Sequence, residues 1–462
     1  MAGVMANPEK LPWTFGIEIE MLFVFDEEKI RTGPAYQYIL PEKFVQGDGD
    51  DLKTDLDMKL VHNLDDDDVL RKISAMKQAA NILRHKGLDL ALHVKPNNQN
   101  KKFNRWMLTT ESHVLDPQDD DQLARWSEGR LQDSEPLSFH GVELISPILD
   151  APNLHSNSQV ESMSEIARYA NVIAEASTVD EPYQFISNPE NAGVHVHIGL
   201  RPKDGKQVSI PVDVLRHLAW IIVCFEDVMT LLHHPERHGY GETKITSRSN
   251  RTTFGSRQWA EHHSCRALDM EAVFLRIFTK HVTDDQDLSN LKEVMCSTPT
   301  TYVHPHYTKF WFVNFFNIKP GPEVAKLTVE FRQHHGTLDA NDLREWVIFV
   351  TALMRTAERK ANESKTKQWK EAAGTPNAEL EEKAKYSGMF DGRRTLKELF
   401  DLMGLPIERR SYWWERAKKF RRVVFTLERD YDALVLCLGG CGDRPQRDCE
   451  GWAHGELDLQ PW

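Results

Sequence analysis

No apolar run in this chain of 462 residues reaches the length of about 18 that crosses a bilayer. The best stretch, residues 218–225, stops at Glu226 and Asp227, so no membrane span is expected. A basic field is missing too: the net charge of −13 argues against nonspecific nucleic-acid binding, which needs positive charge. No Walker or Rossmann glycine motif occurs, so a nucleotide would have to be held by other means. The six cysteines, Cys224, Cys265, Cys296, Cys437, Cys441 and Cys449, follow no secreted framework. The first residues carry no basic-then-apolar signal, and Ala2 excludes myristoylation. A cytoplasmic protein with reduced thiols is expected.

What is present is a recurring alternation. Residues 16–20 read Gly-Ile-Glu-Ile-Glu, residues 141–144 Gly-Val-Glu-Leu, residues 193–197 Gly-Val-His-Val-His and residues 329–332 Val-Glu-Phe-Arg. Side chains two apart on a β-strand share a face. Glu18 and Glu20 therefore oppose Ile17, Ile19 and Met21; His195 and His197 oppose Val194, Val196 and Ile198; Glu330 and Arg332 oppose Val329 and Phe331. Any one of these strands could simply wet one face of an antiparallel sheet, and a Glu-x-Arg pair is commonly a surface ion pair of little worth. Their recurrence, with almost no lysine on the charged faces, is harder to explain that way. Carboxylates crowd one face when cations hold them there, and the sheet reads as one wall of a metal–phosphate site.

The same residues carry a resemblance. Residues 16–26 (GIEIEMLFVFD), 141–149 (GVELISPIL), 193–200 (GVHVHIGL) and 329–339 (VEFRQHHGTLD) are together similar to the ordered strands of the amidoligase family. That family is a branch of the carboxylate–amine ligases with the glutamine synthetase fold. The resemblance implies an α+β chain: an antiparallel sheet with helices on one face and a metal and ATP site on the other. It implies two or three Mg²⁺ or Mn²⁺ ions held by Glu18, Glu20, Glu143, His195 and Glu330. Glu18, His195 and Glu330 would share one ion, and Glu20 and Glu143 another. His197 would touch nucleotide phosphate, and Arg332 would be the catalytic group that neutralises the transferring phosphoryl. Arg248 and Arg251, in the Ser/Thr/Arg-rich stretch 246–257, stand where related ligases bind phosphate, with Arg257 a weaker candidate; Glu111 stands where the family tends to carry an acid.

The expected reaction joins a small amino-acid-like carboxylate to an amine at the expense of ATP, through an acyl phosphate. No general base for the amine is identifiable. Three alternatives remain: a small-molecule guanidino kinase on the same fold, a metal-dependent hydrolase using the His-x-His strand, and a non-catalytic binding protein. Small-molecule partners are expected, without nucleic acid or membrane, and the oligomeric state is open.

Around these strands the pattern predicts an acidic loop over 46–68, helices over 69–86, 211–232 and 339–362, and strands over 88–94 and 105–115. Residues 1–360 are expected to form the catalytic domain. Residues 361–462 should form a helical C-terminal extension ending in a loose tail, whose Cys437, Cys441, Cys449 and His454 match no zinc-finger spacing. Carboxylate crowding suggests that Glu330→Ala would leave the metal-free protein no less stable.

Overall fold

The computed structural model describes residues 11–32, 67–93, 103–111, 113–134, 136–154, 160–177, 181–187, 189–190, 192–234, 237, 250, 269–296, 311–319, 326–363, 383, 385–386, 389–390 and 394–427. Arg248, Arg251, Arg257, most of the acidic loop and the whole cysteine-bearing tail lie outside them.

The long first strand, β1 (Trp13–Asp26), organises the chain. It leads into α1 (Glu27–Thr32), followed by α2 (Asp67–His85), β2 (Leu90–His93), β3 (Trp106–Thr110) and α3 (Asp120–Trp126). Next come β4 (Leu137–Ile145), β5 (Leu149–Asp150), α4 (Glu161–Ala176), β6 (Tyr183–Ile186) and β7 (Gly193–Leu200). Then follow α5 (Val212–Thr230), α6 (Met270–Phe278), α7 (Asp284–Cys296), β8 (Val313–Asn314) and β9 (Thr328–His335). The last helices are α8 (Ala340–Glu363), α9 (Leu396–Met403) and α10 (Ile407–Leu427).

The nine strands form one open sheet in the order β2-β3-β4-β1-β7-β9-β8, with β5 and β6 also pairing β1. Every pairing is antiparallel except β2 with β3. That exception departs from the antiparallel sheet the sequence suggested. The twelve positions that separate the end of β2 from the start of β3 are long enough in sequence for the connection a parallel pair requires.

Alternation in β1 sorts its side chains. Phe15, Ile17, Ile19, Met21, Phe23 and Phe25 join the main core, which also takes in apolar residues of α2, α4, α5 and α8. The even positions divide. Glu18 and Glu20 face the site, while Leu22 and Val24 join a smaller cluster with Leu123, Trp126 and Ile186. Helices thus cover one face almost entirely; α3 is the exception, closing the far end of the other. α8 starts on an Asp339 cap, whose Oδ1 accepts from Asn341 N at 2.7 Å and Asp342 N at 3.0 Å. No helix among the described residues is long and apolar enough to cross a membrane.

The later helices share this core. Leu399, Phe400, Trp413 and Trp414 belong to the same cluster as Trp346 and Phe349 of α8, and α9 begins with a Thr395–Glu398 capping box. Glu358 of α8 accepts from Trp13 Nε1 at 2.7 Å and Leu11 N at 2.8 Å, tying the helix to the start of β1. Since α8 runs to Glu363, position 360 falls within its last turn.

Gly141 lets β4 pass under the turn after β3. Its carbonyl accepts from Glu111 N at 2.9 Å, and an added Cβ would lie 2.1 Å from the Glu111 carbonyl oxygen. Because the obstacle is backbone, Gly141→Ala should cost about 2 kcal/mol through overpacking and shift the Glu111 carboxylate. A urea-unfolding midpoint equal to wild type would show that the turn yields freely.

Candidate metal centre

Strand register sets the site. On adjoining strands Glu20 pairs with Glu143, and Glu18 with His195. His197 pairs with Glu330, which also pairs with Asn314 of β8. Directly opposed residues point to the same face. The pairings therefore lay carboxylates and imidazoles in a line across β4, β1, β7 and β9. Glu20, Glu143, His195, His197 and Glu330 are all buried.

Three overlapping groups have ligand atoms within 4.8 Å of one another: Glu18–His197–Glu330, Glu18–Glu143–His195 and Glu20–Glu111–Glu143. This geometry cuts across the division expected from resemblance. His197 Nε2 lies 3.1 Å from Glu18 and 3.8 Å from Glu330, which makes it as much a ligand candidate as His195. His195 stands between the groups, 3.7 Å from Glu18, 3.5 Å from Glu20 and 3.9 Å from Glu330. Both ring nitrogens of His195 and Nε2 of His197 make no hydrogen bond among the described residues. Thr328 Oγ1, 3.2 Å from His197 Nδ1, fixes that ring. Imidazole nitrogens turned toward carboxylates without bonding them are what a divalent cation would satisfy. The oxygen-rich donor set fits Mg²⁺ or Mn²⁺.

The cations within the protein are arranged around this cluster. Arg332 bonds Glu330 through NH1, and Asn314 Nδ2 donates to the other Glu330 oxygen at 2.9 Å. Burial alone would raise the Glu330 carboxyl; Arg332, His197 and His195 outweigh it and bring it down to about 2. Burial likewise opposes the Arg332 charge, yet Glu330 and Glu20 hold its guanidinium above its ordinary value. Glu18 is similar: desolvation raises it, but Lys326, whose Nζ lies 2.7 Å away, and His197 keep it well below the carboxylate range. Glu20 receives the Gly193 N–H at 2.6 Å.

Four of these participants carried no sequence signal of their own. Lys326, Asn314 and Arg237 come from segments without a motif, and Ser146, beyond the end of β4, donates to Pro147 O and accepts from Ile17 N at 2.9 Å. Arg237 is buried, donates to the Arg332 carbonyl at 2.8 Å, and has its guanidinium lowered to about 10 by burial, against the pull of Glu20. A Cβ at Gly193 would fall 2.7 Å from both Arg237 and His195, so the glycine of Gly-x-His-x-His makes room for both. Glu111, suggested only loosely by sequence, does reach Glu20 and Glu143. It also bonds His113 Nδ1 at 2.6 Å; burial raises its carboxyl, and the bonds to His113 more than reverse that. The position of Arg332 along β9 is set by a bulge. Val194 pairs with His334 but Val196 with Phe331, so Arg332 and Gln333 both stand opposite His195.

Beside Glu18, His197 and Lys326 opens a cavity walled by apolar groups that include Phe103, Ile148 and Leu200. Lys326 Nζ lies 4.5 Å from the Phe103 ring centroid.

With this geometry in view, sequence comparison is informative. A family model described as "Putative amidoligase enzyme" matches residues 11–354. The chain belongs to this amidoligase family. No curated protein gives a significant match.

The structure corrects one expectation. Glu330 is not simply crowded by like charges, because Arg332 is bonded to it in a buried setting. Glu330→Ala should therefore destabilise the metal-free protein by about 3 kcal/mol, the usual result of breaking a buried pair from one side. The Glu330→Ala/Arg332→Met double variant should lose clearly less than the two single losses combined. Additive losses in chemical denaturation would mean that the pair is not coupled.

Proposed function

We propose that the protein is an ATP-dependent carboxylate–amine ligase of the glutamine synthetase type, acting on a small amino-acid-like acid through an acyl phosphate. One observation carries the reading: the register that lines up Glu143, Glu20, Glu18, His195, His197 and Glu330 across four adjoining strands. Family membership supports it independently. A zinc hydrolase built on His-x-His is less favoured, because each ligand group at this site contains no more than one imidazole and hydrolytic zinc is held mainly by nitrogen.

Amide formation needs the acid's oxygen converted into a leaving group. In the first step a carboxylate oxygen attacks the γ-phosphorus of ATP, and ADP departs. In the second the amine nitrogen attacks the acyl carbon, phosphate leaves with the C–O bonding pair, and the nitrogen loses a proton. Divalent cations held by Glu18, Glu20, Glu143, His195 and Glu330 would supply positive charge beside the phosphates. His197 serves two neighbours, Glu18 and Glu330, and stands at the edge of the cavity. We assign that cavity to the nucleotide: its apolar walls suit a planar base, and Lys326 and His197 give it a polar end. Arg332, bonded to Glu330, would set its guanidinium beside oxygens that gain charge during transfer. Arg248 and Arg251 keep the phosphate-binding role their segment suggested.

The test is ADP release across pairs of carboxylic acids and amines. Turnover should require both partners and Mg²⁺ or Mn²⁺, with a product lighter than the sum of the substrates by one water. ADP release with acid alone and a phosphorylated product would make the protein a kinase. Arg332→Lys should lower turnover about a hundredfold to a thousandfold, as loss of an oriented donor does, with ATP affinity little changed. If affinity and turnover fall together, Arg332 is a ground-state clamp.

A further inference from the structure

The bulge that places Arg332 and Gln333 opposite His195 has a second effect. It returns His334 to the helix side, paired with Val194, where period-two alternation would have kept it beside Glu330 and Arg332. There it meets His335 and, from the turn after α5, His233. One nitrogen from each of the three lies within 4.8 Å of the others, and all three residues are buried. Asp342, in the first turn of α8, adds a buried carboxylate, with Oδ1 3.4 Å from His334 Nε2 and Oδ2 3.6 Å from His335 Nε2.

The hydrogen bonding of His334 leaves its Nε2 for a ligand. His334 Nδ1 faces its neighbour's carbonyl, His335 O, at 2.8 Å. That bond puts the proton on Nδ1 and the lone pair on Nε2, the state of a metal-binding histidine. His334 Nε2 has no hydrogen-bond partner among the described residues. Ring packing orients the set: His233 and Trp346 meet edge-to-face at 4.8 Å, His335 and Phe420 at 4.9 Å. Between His335 Nε2 and Asp342 stands one guanidinium nitrogen, NH2 of Arg416 from α10. It lies 2.6 Å from the imidazole and bonds the carboxylate. A cationic group therefore already sits where two donors converge.

We propose that His233, His334 and His335, with Asp342, form a second metal site on the helix side of the sheet, taking a zinc-like transition-metal ion in competition with Arg416. Three imidazoles and one carboxylate make a nitrogen-rich tetrahedral set of the kind zinc accepts. The carboxylate-rich site on the opposite face suits harder ions. Binding would clip the end of β9 to the ends of α5 and α8 and release Arg416, loosening the hold of α10. The site stands apart from the ligase reading and does not depend on it.

Co²⁺ titration of the full chain, freed of metal by chelation, tests it. Wild type should develop the intense visible bands of tetrahedral cobalt at one ion per chain, and zinc should bleach them. His233→Gln and His334→Gln should each weaken binding at least a hundredfold, whereas Glu18→Gln/Glu330→Gln should leave the bands in place. Arg416→Gln, which removes the competing cation, should tighten binding about tenfold. The wild-type titration decides the matter even if a histidine variant fails to fold. Absence of the bands, their loss in Glu18→Gln/Glu330→Gln, or a sulfur-to-cobalt charge-transfer band from the tail cysteines would each overturn the proposal.

Discussion

Repulsion among carboxylates on one face of a sheet is the constraint around which this molecule is built. Two carboxylates about 4 Å apart repel by roughly 4 kcal/mol at an effective dielectric of 20, and here Glu18, Glu20, Glu111, Glu143 and Glu330 form overlapping groups. Such an arrangement persists only if the backbone cannot relax. β1 provides that rigidity: it is hydrogen-bonded on both sides, to β4 and β7, and its odd-numbered residues are locked into the main core. The strand cannot rotate to separate Glu18 from Glu20 without exposing Ile17, Ile19 and Met21. Stability gathered on one face is what permits strain on the other.

The protein's own cations offset part of that strain unevenly. Arg332 is committed to Glu330 and Lys326 to Glu18, while Glu20 has the Gly193 N–H as well as charge from Arg237. Within the Glu20–Glu111–Glu143 group, Glu111 is bonded to His113.

Legibility in the sequence followed period. Where alternation is unbroken, as over Glu18–Glu20 and His195–His197, the site-facing residues could be read directly, and so could the helices around them. Reading failed where the partner lies across the sheet in a segment with no pattern. Lys326, Asn314 and Arg237 are single residues whose roles exist only once strands pair. The bulge in β9 left no sign in the sequence either: counting by twos past Arg332 would put His334 on the wrong face. The parallel β2–β3 pair was hidden for a related reason: alternation gives the face of a strand but not the direction of its neighbour.

That bulge links the two faces. One short strand delivers Glu330 and Arg332 to the oxygen-rich side and, after one extra residue, His334 to the nitrogen-rich side. Asp342 and Arg416 then connect the second cluster to α8 and α10, the helices that follow. Glu358, further along α8, returns to Trp13 at the start of β1. A displacement of α8 would therefore be felt at the end of β9 and at the start of the strand that carries Glu18 and Glu20. Because packed cores move between discrete arrangements rather than bending continuously, what happens at the histidine cluster need not stay there. The shortest covalent route from it to Glu330 is four residues of β9, all of them hydrogen-bonded into the sheet or its bulge.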